Sequence, residues 1–279
     1  MEYTEYDDET LKHLQQTELM ILKDFIKICE DNGLTYYIHT GSLIGAIRHN
    51  GFIPWDDDLD VVMFREDYEK FKKIFLSSDN KKYKLLTSET EKDYCYVFSK
   101  LMLKGTIFEE NWVEYMDFDL GINIDIFVLD DLSNNRFKRF YQIKKIFFYN
   151  KLLIMSKIKI DNLPFLTKVV THSFYHILNF LKIRPYKINN NLLRFLKKYE
   201  SPDAEYILDI AAPMGQYPQI FSKKDFKPVK KVKFEDIEVN VPAIYDEVLK
   251  SYYGDYMKLP PEEERYNHIT RKIDFGPYK

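Results

Sequence analysis

Asp56, Asp57, Asp58 and Asp60 fall within one short run, between Pro54-Trp55 and the apolar Val61-Val62-Met63. On an extended strand residues i and i+2 share a face, so Asp58 and Asp60 are expected to project together. Asp56 joins them if the preceding turn bends inward, and Asp57 points away. Carboxylates that close repel each other unless a cation holds them. A divalent, oxygen-seeking ion suits such a cluster, Mg2+ first and Mn2+ as the alternative. A solvated acidic turn is the competing reading. Asp125 adds a charge inside Ile122-Asn-Ile-Asp-Ile-Phe-Val128, where an unpaired buried carboxylate would be costly. It can serve as a third ligand or as the general base that takes a proton from an attacking hydroxyl; a polar position on an edge strand is the alternative. Gly41-Ser42 stands before a short helical stretch, where backbone can approach a phosphate and helix N–H groups are free to meet it. Together these residues describe a metal-dependent transferase that handles a phosphate-bearing nucleotide.

Particular elements must position this set. Apolar residues recur at helical spacing from Asp8 to Asp31 (Leu11, Leu14, Ile21, Leu22, Phe25, Cys29), and Asn32-Gly33 ends the helix. Leu34 to Thr40 reads as a strand and Leu43 to His49 as a short helix, broken by Gly51 and Pro54. Leu59 to Met63 has strand composition, and Glu66 to Phe75 reads as a helix. Further strands are expected at 83–86, 94–103, 106–108 and 121–129. Arg136 to Tyr199 is helical in character, with breaks near 162–164 and 184–185. A hairpin over 229–241 and a short helix over 243–253 follow. The expected fold is α+β: a mixed sheet with flanking helices, plus a basic helical region. The divisions are a catalytic core over 1–135, the basic region over 136–220, and a C-terminal hairpin and helix over 221–279 that packs back on the core.

The chain has 279 residues, 45% hydrophobic and 30% charged, which excludes a disordered polypeptide and permits a sizeable core. The acidic N-terminus lacks the features of a secretory signal and no window reads as a membrane span, so a cytoplasmic protein is expected. Cys29 and Cys95 lie in apolar surroundings and read as packed thiols. The net charge of −3 conceals an asymmetry: from Arg136 to Lys198 there are fifteen basic residues and one acid, Asp161, a charge of +14 that leaves −17 elsewhere. With its interleaved Phe and Tyr, the basic segment suits an anionic membrane surface or a lipid-linked glycan, at the inner face of the membrane; a solvated helical face is the alternative.

The run GSLIGAIRHNGFIPWDDDLDVVMFREDYEKF resembles the signature of the LicD family, phosphocholine transferases related to fukutin-type enzymes. GINIDIFVLDD at 121–131 and YYGDYMKLPPEE at 252–263 also resemble family segments, while 136–220 matches loosely. The resemblance implies a nucleotidyltransferase-like α+β fold in which Gly41-Ser42 faces phosphate, Asp58 and Asp60 hold Mg2+, Asp125 completes the triad and Asp56 is an additional ligand or supports the others. It also implies transfer of phosphocholine, or a related phospho-alcohol, from CDP-choline or another CDP-alcohol to a sugar hydroxyl of a cell-surface glycan or its lipid-linked precursor, releasing CMP. Arg48, His49, Lys100 and Lys104 are candidates to neutralise the departing phosphate, with Lys100 foremost because it sits in the strand-like YVFSKLML. Trp55 is the candidate to meet a choline ammonium, with loop packing as the alternative. His268 is a further candidate near the C-terminal motif, or a surface residue. Two rival readings stand beside this one: a nucleotidyltransferase acting on RNA or a small metabolite, and a non-catalytic adaptor for membranes or glycans. The long signature disfavours nucleic acid as a partner.

Overall fold

The computed structural model describes residues 7–110, 118–157, 165–211, 219–265, 267 and 270–279. Helix α1 (Asp8–Asp31) starts where the Asp7 carboxylate accepts the Thr10 N–H, and Gly33 turns the chain away with φ +61°. Its apolar stripe is buried as the spacing requires, and it carries one carboxylate, Glu18, on the same stripe. Strand β1 (Tyr37–Ile38) is much shorter than the expected 34–40. It stops because Thr40, with φ 45°, bends the backbone directly into α2 (Thr40–Ile44), which continues as a π-helical turn over Gly45–His49. Strand β2 (Asp60–Phe64) is wholly buried and leads into α3 (Arg65–Ser77).

Next come β3 (Tyr83–Leu86), β4 (Ser99–Leu103), β5 (Ile107–Glu110) and β6 (Asn123–Leu132). The strand expected from Tyr94 begins only at Ser99. Over 94–98 the aromatic side chains pack on one another, Tyr94 on Tyr96 and Tyr96 on Phe98, outside any strand ladder. Helices α4 (Arg136–Lys157), α5 (Phe165–Phe180) and α6 (Pro185–Leu196) account for the basic region. The expected break at 184–185 is the start of α6, with Arg184 extended and Pro185 in the first turn. The break at 162–164 lies outside the described residues, as does His268.

Two strands absent from the sequence reading then join the core: β7 (Tyr206–Asp209) and β8 (Ile220–Ser222). Helix α7 (Lys223–Phe226), the hairpin β9 (Val229–Phe234) and β10 (Ile237–Pro242), and α8 (Tyr245–Tyr253) follow. Finally, β11 (Thr270–Asp274) pairs antiparallel with β5.

The main sheet has seven strands in the order β1-β2-β6-β4-β3, with β7 on β6 and β8 on β7. Strand β6 organises it. Its first half pairs antiparallel with β4, its second half antiparallel with β7, and β2 lies parallel beside its middle. The mixed sheet with helices is the α+β architecture expected. A large core packs α1, α3 and the hairpin on one set of side chains, including Phe25, Phe71, Ile124 and Phe234. A smaller cluster, Leu132, Ile146, Leu192, Phe195 and Leu208, joins α4 and α6 to the ends of β6 and β7. Both cysteines are buried free thiols.

Candidate active site

Strand register lines up the chemistry. Asp60 on β2 is the direct neighbour of Asp125 on β6, and Asp125 is the direct neighbour of Lys100 on β4. Directly paired residues present their side chains to the same face, so the three form a row across three strands. Within it the Lys100 ammonium donates to Asp125 Oδ1 at 2.8 Å and to Asn123 Oδ1 at 3.2 Å. Lys100 is 4% exposed, so an anion beside it is an electrostatic necessity.

The turn before β2 is built around the same row. The Thr40 hydroxyl donates to Asp60 Oδ2, and His39 N–H donates to the Asp60 carbonyl at 3.0 Å. A threonine at φ 45° is strained, at a typical cost of about 1–3 kcal/mol, and is held here by these contacts. Ser42 is buried, and its hydroxyl oxygen accepts the Asp60 N–H at 2.9 Å, so it clamps the start of β2. At Gly41 a Cβ would stand 3.1 Å from Asp56 Oδ2: the missing side chain is what admits the Asp56 carboxylate. Gln15 on α1 donates to the Asp56 carbonyl at 2.8 Å and fixes the acidic run from behind.

Charge accumulates at this point. Burial first, then the charges of Asp58 and Asp125, push the Asp60 carboxyl well above the usual carboxylate range, while the Thr40 hydroxyl opposes the rise. Tyr253, at the end of α8, is 45% exposed, and its phenol is pushed upward by the desolvation of its inner part and then by the charges of Asp60, Asp58 and Asp56. Asp57 is buried, and its charge acts on Glu18 after that of Asp58. All the donors are carboxylate oxygens, the set a hard divalent cation takes. Among the described residues, no three His, Cys, Asp or Glu side chains converge at metal-ligand spacing; Asp60 and Asp125 hold Thr40 and Lys100 instead.

The remaining expected residues divide. Arg48 donates to the Tyr256 carbonyl at 2.6 Å and to His49 Nε2 at 2.9 Å, tying the π-helical turn to the C-terminal motif. Burial lowers its pKa first, followed by Arg265, while Asp56 raises it, so Arg48 lies within electrostatic reach of the acidic run. Burial, then the Arg48 charge, lowers His49. Trp55 lies half-buried under the Arg265 guanidinium, 5.3 Å from the ring centroid, and edge-on to His49. Lys104 is exposed and donates to the Asn80 carbonyl. It stands four residues beyond Lys100, roughly 13 Å along the strand direction, and is not brought to the row.

Several further charged groups lie buried around the row that were not among the expected residues. Glu18 is 2% exposed and its Oε2 has no hydrogen-bond partner; burial, then Asp58, Asp57, Asp56 and Asp60, drive its pKa well upward. The signal was available: a glutamate on the apolar stripe of α1, four residues after Leu14 and four before Leu22. His39 Nε2 lies 3.1 Å from Asp209 Oδ2, both fully buried, with the imidazole against Phe127 and Tyr252. Asp209 sits in the apolar Tyr206-Ile-Leu-Asp-Ile210, the same signal that singled out Asp125. An aromatic wall also flanks the row. Phe127 is two residues beyond Asp125, Phe98 two before Lys100, and their rings stack at 4.7 Å, with Tyr96 beside Phe98.

A mixed sheet that gathers carboxylates from two parallel strands, with a lysine on the third and a glycine turn in front, is the equipment of an enzyme that works on phosphoryl groups. Residues 33–127 match the family described as LicD/FKTN/FKRP, nucleotidyltransferase domain. The chain is 32% identical over 266 residues to the lipopolysaccharide cholinephosphotransferase LicD of Haemophilus influenzae, covering 93% of this chain and 96% of that protein. It is 43% identical over 42 residues, 15% of this chain and 8% of the relative, to the human ribitol 5-phosphate transferase FKRP. An uncharacterised protein of Rickettsia typhi is 43% identical over 54 residues, 19% of this chain and 18% of that protein. The chain belongs to the LicD family, and it is a LicD-type phosphotransferase.

Proposed function

We propose that this protein transfers a phospho-alcohol, phosphocholine first among the candidates, from a CDP-linked donor to a sugar hydroxyl of a cell-surface glycan or its lipid-linked precursor. The Asp60–Asp125–Lys100 row carries the reading, and the long likeness to a cholinephosphotransferase supports its substrate class. In the reaction the acceptor oxygen forms a bond to the phosphorus that bears the alcohol. The bond from that phosphorus to the CMP oxygen breaks, and the hydroxyl proton goes to a carboxylate. Asp58, Asp60 and Asp125, with Asp56, supply the carboxylate oxygens that would hold Mg2+, or Mn2+ in its place, once drawn together from the spacing they have here. The bound cation would neutralise the diphosphate and polarise the reacting phosphoryl group. Lys100, buried beside Asp125, adds positive charge where the departing phosphate needs it.

Beside Trp55, the rings of Tyr96, Phe98 and Phe127 are candidates to meet a choline ammonium, a contact worth about 0.5–2 kcal/mol that a polyol does not gain; the Lys100 ammonium lies 5.9 Å over Tyr96 and 5.6 Å over Phe98, so it would have to share or yield those faces.

The test is CMP release with Mg2+ from CDP-choline, CDP-ethanolamine, CDP-glycerol and CDP-ribitol, with and without glycan acceptor. Acceptor-dependent CMP from CDP-choline is expected, with Phe127→Ala raising KM for CDP-choline more than for CDP-ribitol. No CMP from any donor sinks the transferase reading. Pyrophosphate release from a nucleoside triphosphate would favour nucleotidyl transfer instead.

A further inference from the structure

The α4–α5 region carries an exposed surface that the catalytic row does not use. On α5, Val170, Phe174, Ile177 and Leu181, just past its end, recur at intervals of four, three and four, and all are exposed, Leu181 at 56%. That spacing places them on one helix face. On α4, Phe137, Phe140, Phe147 and Phe148 are exposed at helical spacing on the face opposite buried Gln142, Ile146 and Leu153. Lysines accompany the rings: Lys144 lies 5.4 Å over Phe140 and Lys151 lies 5.3 Å over Phe147. No other part of the described surface shows such a run of exposed aromatic and aliphatic side chains. No helix of the described residues is long and apolar enough to cross a membrane.

Charge identifies the occupant. The segment 136–198 carries +14, so two copies facing each other through it would bring like charges together, whereas a sheet of anionic headgroups meets both the lysines and the rings. Aromatic side chains beside lysine on a helix too polar to span are suited to the boundary between headgroups and acyl chains. We propose that the exposed faces of α4 and α5 seat this protein on an anionic lipid bilayer, lying in the interface without spanning it. The opposite face of α4 is locked to the core by Gln142, which donates to the Asp131 carbonyl at 2.8 Å and accepts the Ser133 N–H, both at the end of β6. The docking surface is therefore fixed to the strand that carries Asp125. A catalytic row held at constant height above a bilayer suits an acceptor that is itself lipid-linked.

The full-length chain is mixed with phosphatidylcholine vesicles with and without phosphatidylglycerol, and the bound fraction is read by flotation. This readout needs neither donor nor acceptor, so its failure is distinct from failure of the transfer reaction. Binding is expected only with phosphatidylglycerol and is expected to fall sharply in 1 M salt, where the Debye length is about 3 Å. Lys138→Gln, Lys144→Gln and Lys151→Gln together should weaken partitioning about a hundredfold, from roughly 1 kcal/mol per basic residue. Phe174→Ser with Ile177→Ser should weaken it about tenfold or more, with an unchanged thermal midpoint showing that both variants fold. Absence of binding to anionic vesicles at low salt overturns the proposal, as does binding that both variants retain in full. A wild-type dimer that the Phe174/Ile177 variant converts to monomer, without vesicle binding, would assign the face to a second copy instead.

Discussion

Asp60 holds the tightest position in the site: it is nearly excluded from water, flanked by Asp58 and Asp125, and held by a strained threonine. Replacing it by Asn keeps its shape and removes one charge. CMP release should fall about a hundredfold or more, the loss of several kcal/mol of charge stabilisation at the phosphoryl group, and the heat of Mg2+ binding in calorimetry should fall with it. Retained activity would dismiss Asp60 from the reaction. Glu18 poses the opposite case. It is a fifth carboxylate behind the acidic run, with Oε2 unsatisfied, so Glu18→Gln removes a repulsion and adds a donor. In Mg2+-free buffer near neutral pH the variant should be more stable by about 1 kcal/mol, read as a higher urea midpoint at unchanged m-value. A lower midpoint would mean that the Glu18 charge is compensated.

Helix α1 positions the acidic run through more than apolar contact. Gln15 fixes the Asp56 backbone, and Asp24 accepts from Lys82 Nζ and Tyr83 Oη, each at 2.6 Å, which ties the helix to the start of β3. Burial raises the Asp24 pKa, but the Lys82 and Tyr83 bonds outweigh it and the net shift is downward. A carboxylate depressed in the folded state contributes stability above its unfolded pKa, near 3.9, and loses it as pH falls through the lower folded value. The stability gap between wild type and Asp24→Asn should therefore be full at pH 6, at most about 1 kcal/mol for so exposed a pair, and should close below about pH 4. Thermal unfolding across that range measures it, and a gap that widens in acid would reverse the assignment.

Across the whole molecule β6 and β7 join what the chain keeps far apart. Ile207 packs in the large core and its neighbour Leu208 in the smaller cluster under α4 and α6, so a single strand serves both. The basic helices should therefore unfold with the catalytic sheet and not before it. Ile146→Ala, in the smaller cluster, should cost about 2–5 kcal/mol and leave the unfolding transitions by far-UV circular dichroism and tryptophan fluorescence coincident. Separation of the two transitions would show that the helical region stands alone.

The sequence by itself determined the local periodicities and the unusual charges. The stripe on α1, the strand at Asp60–Phe64, the hairpin around Asp236 and the isolation of Asp125 among apolar residues are all properties of neighbours in the chain. Glu18 and Asp209 carried the same kind of signal, a charge on an apolar stripe or strand. Only the tertiary structure decided which of these charges meet. Asp60, Asp125 and Lys100 form a row because β2 runs parallel and β4 antiparallel to β6 in one particular register, and a shift of one residue would turn each side chain to the other face. The His39–Asp209 contact spans 170 positions of sequence, a separation over which no local pattern operates. Lys104, four residues from Lys100 on the same stretch, stays outside the site for the same reason: strand pairing set where the row falls.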